Sequence, residues 1–196
     1  MSYAAIVATF TLAGNLLFTR LLGLCPAVAA SSSLRRTAAL SSAVIFVGTL
    51  SSAAAWVLDR LLLEPLRLQW LETLGVMLLA MAATRLMDAL VRAISPCLSA
   101  LLGRHSLETM TNSAVLGVCF VAARADYGLL ESFVAGLAGG IGYFVAALVI
   151  ALIHERLELE WVPRPLRGAP IALISAGILA LAFMGFEGLL RAAPQG

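Results

Sequence analysis

The run Leu129-Leu-Glu-Ser-Phe-Val-Ala-Gly-Leu-Ala-Gly-Gly-Ile-Gly-Tyr-Phe-Val-Ala-Ala-Leu-Val-Ile-Ala-Leu-Ile153 holds a single charged residue, Glu131, and ends against His154-Glu155-Arg156. A helix needs about 20 mostly apolar residues to cross the hydrocarbon of a bilayer, so this run is read as a membrane span. Working outward, five more segments of similar character lie near residues 3–24, 37–58, 70–92, 107–124 and 169–190. Short polar or Pro-containing breaks separate them: Ser31-Ser32-Ser33 before Arg35-Arg36, then Pro65, Pro96, and Pro163 with Pro165 and Gly168. Composition agrees, with 61% hydrophobic residues, 12% charged and a mean hydropathy of +0.98, against about 25% charged in a soluble domain. The fold expected is an all-α integral membrane protein, one membrane domain over residues 1–196, in contact with membrane lipids. Met1-Ser2-Tyr3 opens the first span with no basic segment ahead of it, so that span is expected to be retained.

The basic residues are all Arg, and the net charge of +2 is dispersed, with no basic run interleaved with aromatics; a nucleic-acid partner is set aside. Arg placement orients the chain. With the N-terminus outside, Arg35, Arg36, Arg92, Arg104, Arg156, Arg164 and Arg167 fall inside and Arg60, Arg67, Arg124 and Arg191 outside, which the positive-inside rule favours. Six spans then leave both termini on the outer side of the membrane.

Two places interrupt the helical pattern. Leu22-Gly23-Leu24-Cys25-Pro26 lies in the first half, and Thr111-Asn112-Ser113-Ala114-Val115-Leu116-Gly117 is its expected counterpart in the second. Irregular backbone at membrane depth survives only where protein or a cavity shields it, so paired interruptions point to a buried site near the midplane. Each half has three spans, so a tandem copy enters the membrane inverted: repeat one about 1–95, repeat two about 100–192. A single six-helix bundle without a repeat is the alternative.

Three cysteines do not make a disulfide framework. Cys97 and Cys119 read as small packed hydrophobes. Cys25, bracketed by Gly23 and Pro26, is expected to sit where the backbone leaves the helix and to aim a thiolate at a shared centre. Thiolates suit soft metals and iron–sulfur clusters, which usually need four of them, so a partner chain would have to supply more. Arg85 and Asp88, three apart, either form a salt bridge or place Asp88 on an ion path. Glu108 reads as a helix-start charge, His105 and His154 as interfacial, and Gly136, Gly139, Gly140 and Gly142 as close helix packing or a partner contact. The stretch Arg156 to Gly168 is a plausible docking surface for a cytoplasmic subunit. Phosphate-loop, dinucleotide and zinc-helix motifs are missing, so the polypeptide alone is expected to catalyse nothing.

Matches in register run along nearly the whole chain: Leu22-Gly-Leu-Cys-Pro26, Ala55-Trp56 followed by Asp59, Ser95-Pro96, Thr111-Asn112, Ala114-Val-Leu-Gly117, Glu155-Arg156-Leu157, Val162-Pro163, Arg167-Gly168, Ile171-Ala-Leu-Ile174 followed by Ala176-Gly177, and Leu181-Ala-Phe-Met-Gly-Phe186. In these the chain resembles the RnfA (RsxA) family of subunits of the Rnf ion-translocating oxidoreductase, itself related to the NqrE subunits of sodium-pumping quinone reductase. Asn15 and Leu-Cys-Pro favour the RnfA side.

The resemblance implies a six-span subunit paired in inverted orientation with a similar RnfE-like subunit, together with Rnf subunits of the B, C, D and G types. It implies a two-iron, two-sulfur cluster near the midplane, with two cysteines from each of the pair; flavin and NAD belong to other subunits. Cys25 matches the first of this chain's two ligands, while Ser113, after Asn112, stands where the second cysteine is expected. A hydroxyl is harder than a thiol and deprotonates far less readily, so it is a poor iron ligand. Cys119, six residues along a helix, points about 120° away and lies about 9 Å further on.

The function implied is electron transfer between ferredoxin and NAD coupled to Na+ or H+ translocation, with Cys25 helping to hold the shared cluster; independently of the resemblance, Asn15 and Asp88 are read as candidate ion-path residues. A cluster-free transporter stays open as the alternative, with Asn15, Asn112 and Ser113 offering oxygens to a cation. So does a scaffold subunit that has lost the centre.

Overall fold

The computed structural model describes residues 7, 10–11, 15–31, 33–66, 69–94, 112–124, 127–159 and 163–192. Among them the regular structure is entirely helical: α1 Leu16–Thr19, α2 Leu24–Ala30, α3 Leu34–Leu58, α4 Glu72–Ile94, α5 Ser113–Arg124, α6 Leu129–Leu159 and α7 Ala169–Ala192. The stretches Leu34–Leu63, Glu72–Ala93 and Leu129–Leu157 are long and apolar enough to cross a membrane, and Ser113–Ala122 and Pro170–Gly185 are shorter apolar helices. Cys97, His105, Glu108 and Thr111 lie outside the described residues, as does most of the expected first span before Asn15.

Two expected boundaries move. α3 does not stop at residue 58: it continues as a wider π-type turn over Asp59–Leu63, in which the Glu64 N–H reaches the Asp59 carbonyl, and then through Glu64–Leu66. Pro65 is accommodated inside that last turn rather than marking a clean break. The first span, expected to end at residue 24, is interrupted at Arg20–Gly23 and resumes as α2 to Ala30.

Helix α6 is the centre of the bundle, and its glycines explain how. A Cβ at Gly140 would lie 2.6 Å from Ile45 Cα, and one at Gly136 would lie 2.8 Å from Thr49 Cα and 2.9 Å from the Gly48 carbonyl, so this face meets the α3 backbone directly. Gly139 would meet Val118 of α5 at 2.5 Å, and Gly142 the Phe10 carbonyl at 2.6 Å. The glycine-rich stretch therefore serves three neighbours within this chain, which decides between packing and partner contact for these four positions. Small residues permit such approach where lipid offers no hydrophobic gain from helix association. Ala135, Ala138, Ala146 and Ala151 complete the buried face of α6, while Phe133, Leu137, Ile141 and Val145 on its other face are exposed.

Around α6 the outer helices keep apolar faces open. Leu78 on α4 and Ile178 and Leu181 on α7 are 66%, 63% and 71% exposed. Such a surface suits lipid or neighbouring subunits, not water. α7 reaches the interior through Phe183, whose ring centroid is 4.5 Å from that of Phe18 on α1. Trp56, near the end of α3, donates its indole N–H to the Tyr127 carbonyl at 2.6 Å, tying that end to the start of α6.

Candidate functional site

The site is built from two interruptions that touch. In the first, Asn15 caps α1: its Oδ1 accepts the Leu17 N–H at 3.1 Å, while its Nδ2 donates to the Gly142 carbonyl at 2.8 Å and the Thr11 carbonyl at 3.3 Å. α1 lasts one turn. The chain then bends through Leu21, φ +54°, and Gly23, φ +78°, with the Leu22 N–H closing on the Leu16 carbonyl at 3.0 Å. A non-glycine residue in the left-handed region costs about 1–2 kcal/mol and persists only where its surroundings hold it there.

In the second, Asn112 caps α5 in the same way. Its Oδ1 accepts the Ala114 N–H at 3.0 Å, and the Val115 N–H reaches the Asn112 carbonyl at 3.1 Å, matching Phe18 N–H to the Asn15 carbonyl at 3.1 Å. The local counterpart of the 111–117 stretch is thus Asn15 and its turn, eight residues before Gly23, rather than Leu22–Pro26 itself.

The two interruptions are joined at Gly23. Its N–H donates to Ser113 Oγ at 2.8 Å, and its carbonyl accepts from the Tyr143 hydroxyl at 3.3 Å. A Cβ there would lie 2.6 Å from Asn112 Oδ1, 2.7 Å from Tyr143 Cε2 and 3.0 Å from Ala114 Cβ, so only glycine fits both the dihedral and the space. Gly142 and Tyr143 sit near the middle of α6, about 20 Å from one end and about 25 Å from the other at 1.5 Å rise per residue, so both interruptions lie near mid-height of the longest helix.

Cys25 is not in the irregular segment. It occupies the first turn of α2, with Pro26 beside it at a position whose missing N–H has no helical partner to lose. Its side chain is exposed and opens on a concavity of about 380 Å³ lined by Leu21, Gly23, Pro26, Ala29 and Ser113. A second concavity of about 610 Å³ is lined by Arg20, Leu22, Ser113, Gly117 and Phe120. Ser113 belongs to both walls. Cys119 is fully buried beside Ala55 and Val76, in agreement with the packing reading.

The other expected residues separate. Arg85 and Asp88 do not pair: among the described residues no ion pair joins them, Arg85 is exposed, and Asp88 is 7% exposed with Oδ2 lacking any partner. Their side chains leave the shared helix α4 toward different surroundings, so three-residue spacing alone does not close the bridge. Asp88 also lies on a helix apart from the Gly23 junction. His154 is half-buried near the end of α6, with Nδ1 2.7 Å from Ser31 Oγ; the Ser31 hydroxyl donates to the Val28 carbonyl at 2.7 Å. That contact ties α6 to the end of α2.

Sequence reading did not single out Arg20 or Tyr143. For Arg20 the signal was available as a cation inside an apolar stretch; for Tyr143, buried and bonded across 120 residues, local sequence held none.

The donor set bears on whether an iron–sulfur group fits. Among the described residues no three His, Cys, Asp or Glu side chains cluster, so nothing there holds a cluster alone. Cys25 fits as one share of a site completed by another chain, being a soft donor facing an open, mostly apolar concavity. Ser113 fits poorly, because its oxygen already accepts the Gly23 N–H and its hydroxyl is a hard donor.

Comparison with known proteins gives a consistent result. A family model described as "Rnf-Nqr subunit, membrane protein" matches residues 3–190. Proteins named as the A-type subunit of the ion-translocating oxidoreductase complex in Pseudomonas paraeruginosa and Serratia proteamaculans are each 38% identical over 189 residues, covering 96% of this chain and 97% and 98% of theirs. The protein of the same name from Pseudomonas aeruginosa strain LESB58 is 37% identical over the same length.

Proposed function

The chain belongs to the Rnf-Nqr family of membrane subunits, and from that premise we propose that it is the A-type subunit of an ion-translocating oxidoreductase that relays electrons across the bilayer. In this reading the complex moves electrons between ferredoxin and NAD and couples them to Na+ or H+ transport in a bacterial inner membrane. The two halves are inverted repeats of three spans, with both termini periplasmic. An RnfE-like subunit packs against the face that carries Cys25, and subunits of the B, C, D and G types hold flavin, NAD and further iron–sulfur centres. The single observation that carries the proposal is the junction at Gly23, which sets an exposed thiol beside an open concavity at mid-height of α6.

An iron–sulfur centre bound there would supply one-electron redox chemistry. This chain's part is to hold it through Cys25, to brace that thiol with the Gly23–Ser113 and Gly23–Tyr143 hydrogen bonds, and to keep water from the apolar wall. Asp88, a buried carboxylate within an apolar helix, is proposed as an ion-path residue.

The cation-transporter reading draws less support. Oδ1 of both Asn15 and Asn112 already accepts a backbone N–H, and the unpartnered atom of Asn112 is Nδ2, a donor that repels cations.

The test is iron and acid-labile sulfide content with low-temperature EPR on this chain co-purified anaerobically with its partner subunits, wild type against Cys25→Ala. A reducible signal lost in the variant supports the relay. A wild-type complex whose other centres are loaded, but whose signals and iron content are unchanged by Cys25→Ala, sinks it.

A further inference from the structure

Arg20 is a charge that this chain leaves without a counterpart. It caps the C-terminal end of α1, its side chain is exposed, and among the described residues it has no hydrogen-bond or ion-pair partner. Asn15, five residues before it, bonds to the Gly142 carbonyl, and Gly23, three residues after it, bonds to Tyr143, so Arg20 is held near mid-height of α6. A guanidinium stays charged, and from that depth its side chain is too short to reach the headgroups by snorkelling. Charges within a membrane pair with one another or face a cavity, and Arg20 lies on the wall of the larger concavity, about 610 Å³ in volume.

The other wall of that concavity is α5, and its pattern is that of a seat for a helix. Ala114, Val115, Val118, Cys119 and Ala122 are buried within the chain's own bundle. Ser113, Leu116, Gly117, Phe120 and Val121 form the opposite stripe, at offsets of three, four, seven and eight residues from Ser113, and each is only half-buried. With Arg20 and Leu22 on the facing side, the stripe makes a groove with the period of a helix contact. The groove differs from the faces of α4 and α7, where Leu78, Ile178 and Leu181 stand largely exposed as lipid-facing side chains do. Acyl chains cover an apolar stripe but do not answer a cation.

We propose that this groove is a subunit contact, filled by an apolar membrane helix of another subunit that presents one Asp or Glu carboxylate to Arg20. The proposal rests on the reading of the chain as a subunit of a membrane complex and is independent of any centre at Cys25. Charge complementarity selects the occupant. The guanidinium fork meets a carboxylate through two parallel N–H donors, and the low dielectric of the surroundings strengthens that pair relative to a wet surface. The apolar remainder of the partner helix covers Leu116, Phe120 and Val121. A second copy of this chain is a poor occupant, because Asp88, the carboxylate within its α4, is 7% exposed.

The experiment is photocrosslinking in the assembled complex, with p-benzoylphenylalanine in place of Phe120, or of Val121 where the first variant fails to assemble, and the crosslinked peptide identified by mass spectrometry. The expected product joins this chain to a membrane helix of a different subunit that carries Asp or Glu within about one turn of the crosslinked residue. Charge reversal then tests the pair. Arg20→Glu is expected to lower retention of that subunit on co-purification about thirtyfold or more, Arg20→Lys to keep it, and replacement of the identified carboxylate by Arg to restore it in the Arg20→Glu background. A residue that merely packs would not be rescued by the swapped charge. If Arg20→Glu fails to fold, the crosslink in the chain that keeps Arg20 decides alone. A crosslink to lipid, to this chain itself, to a second copy or to a helix without a carboxylate overturns the proposal, as does no protein crosslink from either position, wild-type retention in Arg20→Glu, or no rescue by the swap. A chain that co-purifies with no other membrane subunit overturns the subunit reading and this contact with it, a result distinct from a complex that assembles but crosslinks elsewhere.

Discussion

Gly23→Ala isolates the junction on which the site depends. The substitution places a Cβ on a residue at φ +78°, costing about 1–2 kcal/mol as backbone strain. It also sets that Cβ 2.6 Å from Asn112 Oδ1, 2.7 Å from Tyr143 Cε2 and 3.0 Å from Ala114 Cβ. None of these yields freely: Asn112 Oδ1 holds the Ala114 N–H and Tyr143 holds the Gly23 carbonyl. Relief means losing at least one of those hydrogen bonds, and with it the Gly23–Ser113 bond, at about 1 kcal/mol each. The total is about 3–4 kcal/mol. Gly168→Ala is the internal reference, because Gly168 has φ +85° but nothing within 4 Å of its Cβ position, so only the strain of about 1–2 kcal/mol applies. Thermal unfolding of the purified complex reads the difference: by the scaling of a domain of this size, about 10 °C for Gly23→Ala against about 4 °C for Gly168→Ala. Equal shifts in the two variants would show that the crowding at Gly23 is not real, and the joined site would fall with it.

Gly140→Ala forces a Cβ to 2.6 Å from the Ile45 backbone and is expected to lower the unfolding temperature, whereas Gly177→Ala, with nothing within 4 Å, should leave it unchanged or raise it; the same thermal assay compares them, and a neutral Gly140→Ala would contradict the α3–α6 contact. Ser113→Ala leaves the buried Gly23 N–H without its acceptor and should cost about 1–3 kcal/mol; with Cys25 as the proposed ligand, the iron content is expected to be kept. Ser113→Cys adds a second thiol at the junction and is expected to raise iron retention during purification; retention no higher than wild type would show that position 113 does not face the proposed centre. In a Cys97→Ser background of the isolated protein, a maleimide should modify exposed Cys25 rapidly and buried Cys119 only after unfolding, measured by intact mass; early labelling of Cys119 would refute its packing.

The sequence by itself determined the environment and the class of structure. Apolar runs long enough to cross a bilayer are a one-dimensional property, so the helices near 34–58, 72–94, 129–159 and 169–192 fall close to where hydropathy put them. It also marked Gly23, Cys25 and Asn112, because glycine, proline and capping residues are rare inside such runs without cause. What it left open depends on direction around a helix and on distance between residues far apart in the chain. Cys25 proves helical because the bend falls at Arg20–Gly23, a choice made by Ser113 and Tyr143, 90 and 120 residues away. The Arg85–Asp88 pair, plausible from spacing, does not form, because burial of Asp88 in the interhelical packing outweighs one exposed bridge. The four glycines of α6 were legible as close contacts, but which helix each one meets was not, since a Cβ vector has meaning only once the neighbours are in place. Arg20 shows the same division: its charge was written in the chain, and its place on the wall of the larger concavity came only from the tertiary fold.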